Sequence, residues 1–317
     1  MTIKATIIQD SYNPFTQARI TTFELEYPRF IHAEFMTHRM ISKNSASSRA
    51  IPVKTMIAGI RNDVAMPIHW GKAQAGMQAY EECNAPVHLY ENLTVNLSRE
   101  EAWHAAVENA IDVAQSFAEA GYHKQIVNRL TEVGQHMKVV ATATDWQNFF
   151  WLRNHKDAQP EIHELARQMQ ELCENNTPVH LDDDEWHVPY LHRFRKLDND
   201  GIRQLQYSLD PEGLTFLTIE DAKKVSASMC AQVSYRKADD SLEKAIDIYK
   251  RLVDSEPVHA SPFEHQAMCF DQRDAYEYPG SWPEGITHMT RRGLLYSGNL
   301  RGWIQHRQLI PNNVKRG

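Results

Sequence analysis

Only four of the 317 residues are cysteine, and Cys83, Cys173, Cys230 and Cys269 form no C-x-x-C pair. That spacing excludes a disulfide framework and a zinc knuckle; it fits reduced thiols and a cytoplasmic location. Thirteen glycines and fourteen prolines are too few for a linker or collagen-like chain. Positive charge is also short, since 34 Lys and Arg against 41 Asp and Glu leave a net −7. A field of that sign repels polyanions, so neither nucleic acid nor an anionic membrane is an expected partner. No apolar run reaches the roughly eighteen residues a membrane span requires. The opening MTIKATIIQDSYNPF has no signal-peptide core, and a soluble protein is expected. The absence of G-x-G-x-x-G and Walker patterns leaves a Rossmann or P-loop enzyme unsupported, and there is no solenoid repeat.

What is present is an ordinary globular composition, 42% hydrophobic and 24% charged, long enough for one large domain or two ordinary ones. Residues 3–9 and 20–35 read as strands. Ser98-Arg-Glu-Glu is a capping box that predicts a helix running to Gly121. A shorter helix is expected over 123–133, a buried strand over 137–143, a short helix capped by Asp145, and another opened by Pro160. Helices resume at Thr218 and Asp240, with a strand at 265–271 and an edge strand in 300–310. The tract 175–217 reads as a long irregular surface connection. The mixture fits α/β or mixed α+β architecture, taken as a single domain over 1–317.

The densest polar cluster is His38-Arg39-x-x-Ser42-x-Asn44-x-x-Ser47-x-Arg49. Two guanidiniums and several hydroxyl and amide groups with no acid among them suit a phosphate or other anion, because Arg donates in a rigid fork. A solvated surface turn is the competing reading. In the strand reading, Phe30, His32, Glu34, Met36 and His38 would share one face by the period of two, too mixed a face for simple core.

These residues resemble the signature of the flavin-dependent thymidylate synthases, Arg-His-Arg-x-x-Ser-x-Asn-x-x-Ser-x-Arg, with Thr37 in place of the first Arg. Asn148-Phe-x-x-Leu-Arg153, Ala158-Gln159-x-Glu161-Ile162, Val233-Ser234-Tyr235 and His259-x-Ser261-Pro262-Phe263-Glu264-His265 are similar to further segments of that family. The last two follow the signature here instead of preceding it, which reads as a circularly permuted or rearranged member.

The resemblance implies that one carbon passes from methylenetetrahydrofolate to C5 of dUMP, with FAD as cofactor, reduced nicotinamide nucleotide (NADPH) as reductant and a homotetramer as the working form. It implies a catalytic Arg153 facing the pyrimidine edge, and Arg49, Ser47, Ser48 and Arg129 binding the nucleotide. His38, Arg39, Asn44, Ser45, Asn148 and His265 would touch FAD. For Arg129 a surface salt bridge remains an equal reading. Thr37, Ser45 and Thr142 depart from the family's flavin contacts, and Arg301 and Arg307 are candidates to replace the missing Arg. A hydroxymethylase or other pyrimidine-nucleotide methylase, and a non-catalytic nucleotide-binding homologue, are the alternatives.

Two features have plainer readings. The His180 to His192 loop, with Asp182, Asp183, Asp184, Glu185 and His187, matches no zinc spacing and reads as solvated, so no metal is expected; a metal-dependent hydrolase is the least favoured option. Trp146, Phe149, Phe150 and Trp151 read as core more readily than as a stacking platform.

Overall fold

The computed structural model describes residues 2–89, 96–197, 201, 203–233, 241–272 and 282–315. Ser234 and Tyr235 of the Val-Ser-Tyr segment lie outside the described residues, as does Asp240. The chain opens with a hairpin, β1 (Lys4–Asn13) and β2 (Ala18–Pro28), paired antiparallel with an irregularity between Ile7 and Gln9. Next come α1 (His32–Met36), β3 (Ser42–Ser45), α2 (Val53–Asn62), α3 (Arg99–Glu119), α4 (Lys124–Val127) and β4 (His136–Ala143). Then follow α5 (Gln147–Arg153), α6 (Pro160–Asn175), β5 (Val179–His180), β6 (Trp186–His187), β7 (His192–Leu197) and β8 (Arg203–Ser208). The chain continues through α7 (Ile219–Ala231), α8 (Leu242–Val253), β9 (Ala267–Met268), β10 (His288–Met289), β11 (Leu295–Ser297), β12 (Leu300–Arg301), β13 (Ile304–Gln305) and α9 (His306–Leu309).

The central sheet runs β3-β4-β2-β1-β5, antiparallel except for the parallel β1–β5 pair. Alternation along the strands decides which layer each face buries. Phe23, Leu25 and Tyr27 of β2 and Val139, Ala141 and Ala143 of β4 face α1, α5 and α6, packing on Phe35, Phe149, Ile162 and Leu165. The intervening Thr22, Val140 and Thr142 face the other way, toward residues from the C-terminal part of the chain. That double burial explains why consecutive residues of β4, Val139 to Ala143, are all buried instead of alternating. A satellite core joins α2 to α3 through Ile57, Ile60, Val107 and Ile111. Gly134 lies at this contact, where an added Cβ would come within 2.7 Å of Val107 and 2.9 Å of Ile60.

The mixed α/β class is as expected, and the capping box at Ser98 and Glu101 forms with both bonds in place. Several boundaries differ. Pro28 ends β2, and residues 29–36 turn into a 3-10 turn and α1, so the period-two face over 30–38 does not exist. The 123–133 helix shrinks to α4 and a 3-10 turn at Glu132–Gly134. Asp145 does not cap α5, whose N-cap is Trp146; its carboxylate bonds Arg301 and Tyr296 instead. The supposedly irregular 175–217 tract holds β5 to β8, with β7 and β8 paired as an antiparallel hairpin. The 300–310 tail breaks at Gly302, φ +68°, into β12, β13 and α9. Trp146 and Phe149 are core, whereas Trp151 is 75% exposed. Among the described residues no helix is long and apolar enough to cross a membrane.

Candidate active site

Arg153 ends α5 and points at the turn after α1. Its Nε donates to His38 Nε2 at 2.9 Å, and its NH1 pairs with the Glu34 carboxylate. Helical spacing makes this possible, because Glu34 and His38 are four residues apart and sit on one side of the turn. A nitrogen that accepts cannot carry a proton, so His38 is the neutral tautomer with its hydrogen on Nδ1. Burial, with Arg153 and Lys43 nearby, lowers its pKa to about 4. The ring is held edge-on to Phe149 at 4.9 Å between centroids. Lys43 Nζ donates to the His38 carbonyl at 2.5 Å, and burial lowers that amine to about 8.

Arg153 opens into a cleft of about 970 Å³ lined by Phe30, Tyr80, Trp103, Lys156, Asp157 and His163, among others. The strap of residues 67–80 that forms part of its lining is anchored by Glu161, a residue of the Ala-Gln-x-Glu-Ile segment, whose buried carboxylate accepts from Ile68 N at 2.9 Å. Gln78 and Tyr80 bond Asp157 from the same strap.

A second pocket, of about 280 Å³, gathers Arg29, His32, Ser45, Ser47, Ser48, Arg49 and Arg129. Arg29 is taken by Glu132 at 2.7 Å. Arg129 donates only to the Gln125 carbonyl at 3.2 Å, and neither Arg49 nor Arg129 has a carboxylate partner among the described residues. Burial foremost, then Arg29 and Lys43, lowers the pKa of His32. The loop bearing Arg49 is tied from α4: Asn128 Nδ2 donates to the Ser48 and Ile51 carbonyls at 2.7 and 2.9 Å, and Lys124 Nζ donates to Ala50 O at 2.9 Å. Residues 29–34 and 132–133 are the ridge between the two concavities. Arg29, His32 and Glu132 face the smaller one, while Phe30, Glu34 and Val133 face the larger.

The remaining residues singled out in the sequence scatter. Arg39 is exposed without a partner among the described residues, and Asn148 is exposed on α5. Asn44 carries a buried Oδ1 with no hydrogen-bond partner among the described residues. His265 lies fully buried on the far face of the sheet and lines neither concavity. Its Nδ1 bonds Thr142 Oγ1 at 2.8 Å, Thr142 bonds Thr22 at 2.7 Å, Thr22 bonds His187 Nε2 at 2.8 Å, and His187 Nδ1 bonds Ser11 at 2.8 Å. Thr142 therefore belongs to a buried relay rather than to a surface site. Arg301 and Arg307 are not spare cations, being paired with Asp145 and Glu264. In the 180–192 loop, Asp182 and Glu185 bind Arg195 and His187 is in the relay; among the described residues no trio of His, Cys, Asp or Glu is grouped to hold a metal. Sequence reasoning missed Asn128, and used Glu34 only as part of a strand face; the i, i+4 spacing to His38 was its available signal.

The family model described as "Thymidylate synthase complementing protein" matches residues 2–179, which include both concavities and the signature. Among solved structures, the chain is similar to a UMP/dUMP methylase, PolB from Streptomyces cacaoi. The form bound with 5-Br dUMP gives 17% identity and a TM-score of 0.41, over 54% of this chain and 90% of that one. The form bound with 5-Br UMP gives 17% and 0.39, over 54% and 89%. No curated protein matches. The Pro262–Glu264 segment lies beyond the matched residues in sequence, yet His265, which follows it, bonds β4 within them.

Proposed function

Because the chain belongs to the thymidylate synthase complementing protein family, we propose that it is a pyrimidine-nucleotide C5 methylating enzyme, most simply a flavin-dependent thymidylate synthase acting on dUMP. The observation that carries this reading is the small pocket, where Arg49 and Arg129 have no carboxylate partner among the described residues and lie beside Ser47 and Ser48. Two guanidiniums, Arg129 bonded through Nε to a carbonyl alone, with hydroxyl groups beside them suit the dianionic phosphate of a nucleotide. Arg153, oriented by Glu34 and His38, would face the pyrimidine and stabilise the negative charge that makes C5 nucleophilic.

Within one chain Arg49 and Arg153 open into different concavities, so a single nucleotide would meet both only between subunits. This supports a homo-oligomer, by analogy a tetramer. For FAD, the fit is partial. Arg39, Asn148 and the unpartnered Asn44 Oδ1 offer a cation, an amide and an acceptor that a flavin would satisfy, with His38 and Ser45 nearby in the sequence. His265 is enclosed and would not touch it without rearrangement. Bound FAD would supply the reducing electrons, with NADPH and methylenetetrahydrofolate as co-substrates. A second reading, nucleotide binding without turnover, draws on that enclosure of His265 and on the engagement of Thr142 in the relay.

The test is to titrate the purified protein with dUMP and with FAD, then assay turnover with labelled methylenetetrahydrofolate and NADPH. Binding of both ligands with label in the product supports the first reading. Binding of dUMP alone favours the second, and binding of neither removes both.

A further inference from the structure

The signature turn between α1 and β3 is held from a remote part of the chain. Strands β11 and β12 form a tight hairpin, pairing Ser297 with Leu300 across the two-residue loop Gly298-Asn299, with Gly298 at φ +59°. A positive φ at the first loop residue is the glycine requirement of such hairpins. Asn299 at the tip reaches the signature: its Nδ2 donates to Met40 O at 3.1 Å and lies 3.0 Å from Ser42 Oγ. Ser42 Oγ also lies 3.2 Å from Asn299 Oδ1, and Gln305 Nε2 donates to that same oxygen at 2.8 Å. The amide is thus fixed on its own side before it meets the turn.

The same hairpin grips the connection between β4 and α5. The Arg301 backbone N–H donates to Thr144 Oγ1 at 2.9 Å, Arg301 Nε donates to Asp145 Oδ1 at 2.9 Å, and Tyr296 OH donates to Asp145 Oδ2 at 3.1 Å. One hairpin therefore touches both the segment leading into β3 and the Thr144–Asp145 connection that leads from β4 into the helix ending in Arg153. Neither contact lies within the family-matched residues on the hairpin's side, since that match stops at 179.

We propose that Asn299 is a positioning residue, and that the β11–β12 hairpin braces the His38–Ser42 turn against the Thr144–Asp145 connection into α5 so that the turn and Arg153 keep their relative placement. The inference rests on the flavin- and nucleotide-binding reading above. Orientation acts through small displacements, so a loosened turn lowers affinity and turnover without touching a ligand itself.

The experiment compares wild type, Asn299→Ala, Ser42→Ala and the double variant by amide hydrogen exchange over residues 38–43, by dUMP and FAD titration, and by melting temperature. Wild-type binding is read first; a wild type that binds neither ligand overturns the functional reading, and this inference falls with it. Given binding, the expected Asn299→Ala protein melts within about 4 °C of wild type. It should exchange faster at 38–43 but not in β1 or β2, and bind FAD or dUMP about tenfold more weakly. The double variant should be no weaker than Asn299→Ala alone, since the two side chains act as one contact. Unchanged exchange overturns the brace. Faster exchange with unchanged affinity overturns the positioning role, and fully additive losses overturn the route through Ser42.

Discussion

Arg153 donates to an unprotonated His38 nitrogen at 2.9 Å, so the cation of this pair is the arginine alone and the imidazole is its acceptor. A protonated His38 would turn that contact into a repulsion between two cations.

The first prediction concerns that proton. The folded-state pKa of His38 is depressed to about 4, chiefly by burial and then by Arg153 and Lys43. A depressed value means that the stability the neutral imidazole contributes is full above the unfolded pKa near 6.5 and is lost as pH falls toward 4, while in the folded protein the contact itself breaks only as pH passes through about 4. Histidine NMR should give His38 a midpoint near 4. In Arg153→Ala it should rise, but stay below 6.5 because burial remains. A wild-type midpoint at 6.5 would mean the contact does not form in solution.

The buried relay predicts acid sensitivity of the whole fold. Burial holds His265 at about 3 and His187 well below its ordinary value, with Arg193 and His265 adding to the latter. Both are neutral when folded and take up protons near 6.5 when unfolded, so stability should be full above pH 6.5. Below it, each should cost about 1.4 kcal/mol per pH unit until its folded pKa is reached. Urea unfolding at pH 7 and pH 5 measures the slope, and a flat profile would exclude the burial. At neutral pH, Thr142→Val removes the partner of His265 Nδ1 and one of the two partners of Thr22, and should cost about 1–3 kcal/mol.

Gly134→Ala should destabilise by about 1–3 kcal/mol through overpacking, since Val107 and Ile60 are backed by the α2–α3 core. Denaturant melts of Gly134→Ala alone and with Val107→Ala test the cause: the second change should relieve the clash, leaving less than the additive loss.

Legibility in the sequence followed the range of the determining interaction. The Ser98 cap and β4 were readable because hydroxyl, carboxylate and apolar run sit within a few residues of what they control. Residues 30–38 misled because their alternation imitates a strand, while Pro28 removes the donor a continuing strand would use. The β7–β8 hairpin was hidden by the Pro- and Asp-rich residues before it and by the lack of alternation in 192–197, only 203–208 showing a period of two at Leu205 and Tyr207. Arg49, Ser47, Ser48 and Arg129 were all named from motifs and meet in one pocket, but His265 was named with them and lies behind the sheet. Its partner Thr142 is 123 residues away, and Asn299 is 257 residues from Ser42. No local pattern reports contacts of that span.

Separation of Arg49 from Arg153 gives the sharpest test of the proposed site. Arg49→Ala should lose the phosphate contact, weakening dUMP binding by about tenfold or more with little change in melting temperature, because Arg49 is exposed and unpaired. Arg153→Ala should lower turnover more than nucleotide affinity, as expected for a group acting on developing charge. If one nucleotide spans two subunits, the two weak variants complement each other when co-expressed. A subunit that keeps Arg153 then faces one that keeps Arg49, and a fraction of the interfaces is wild type at both positions. Mixed oligomers should therefore regain part of the wild-type turnover that neither variant shows alone. Recovery absent from a verified mixed oligomer would place both arginines at one nucleotide within a single chain, or at two different ligands.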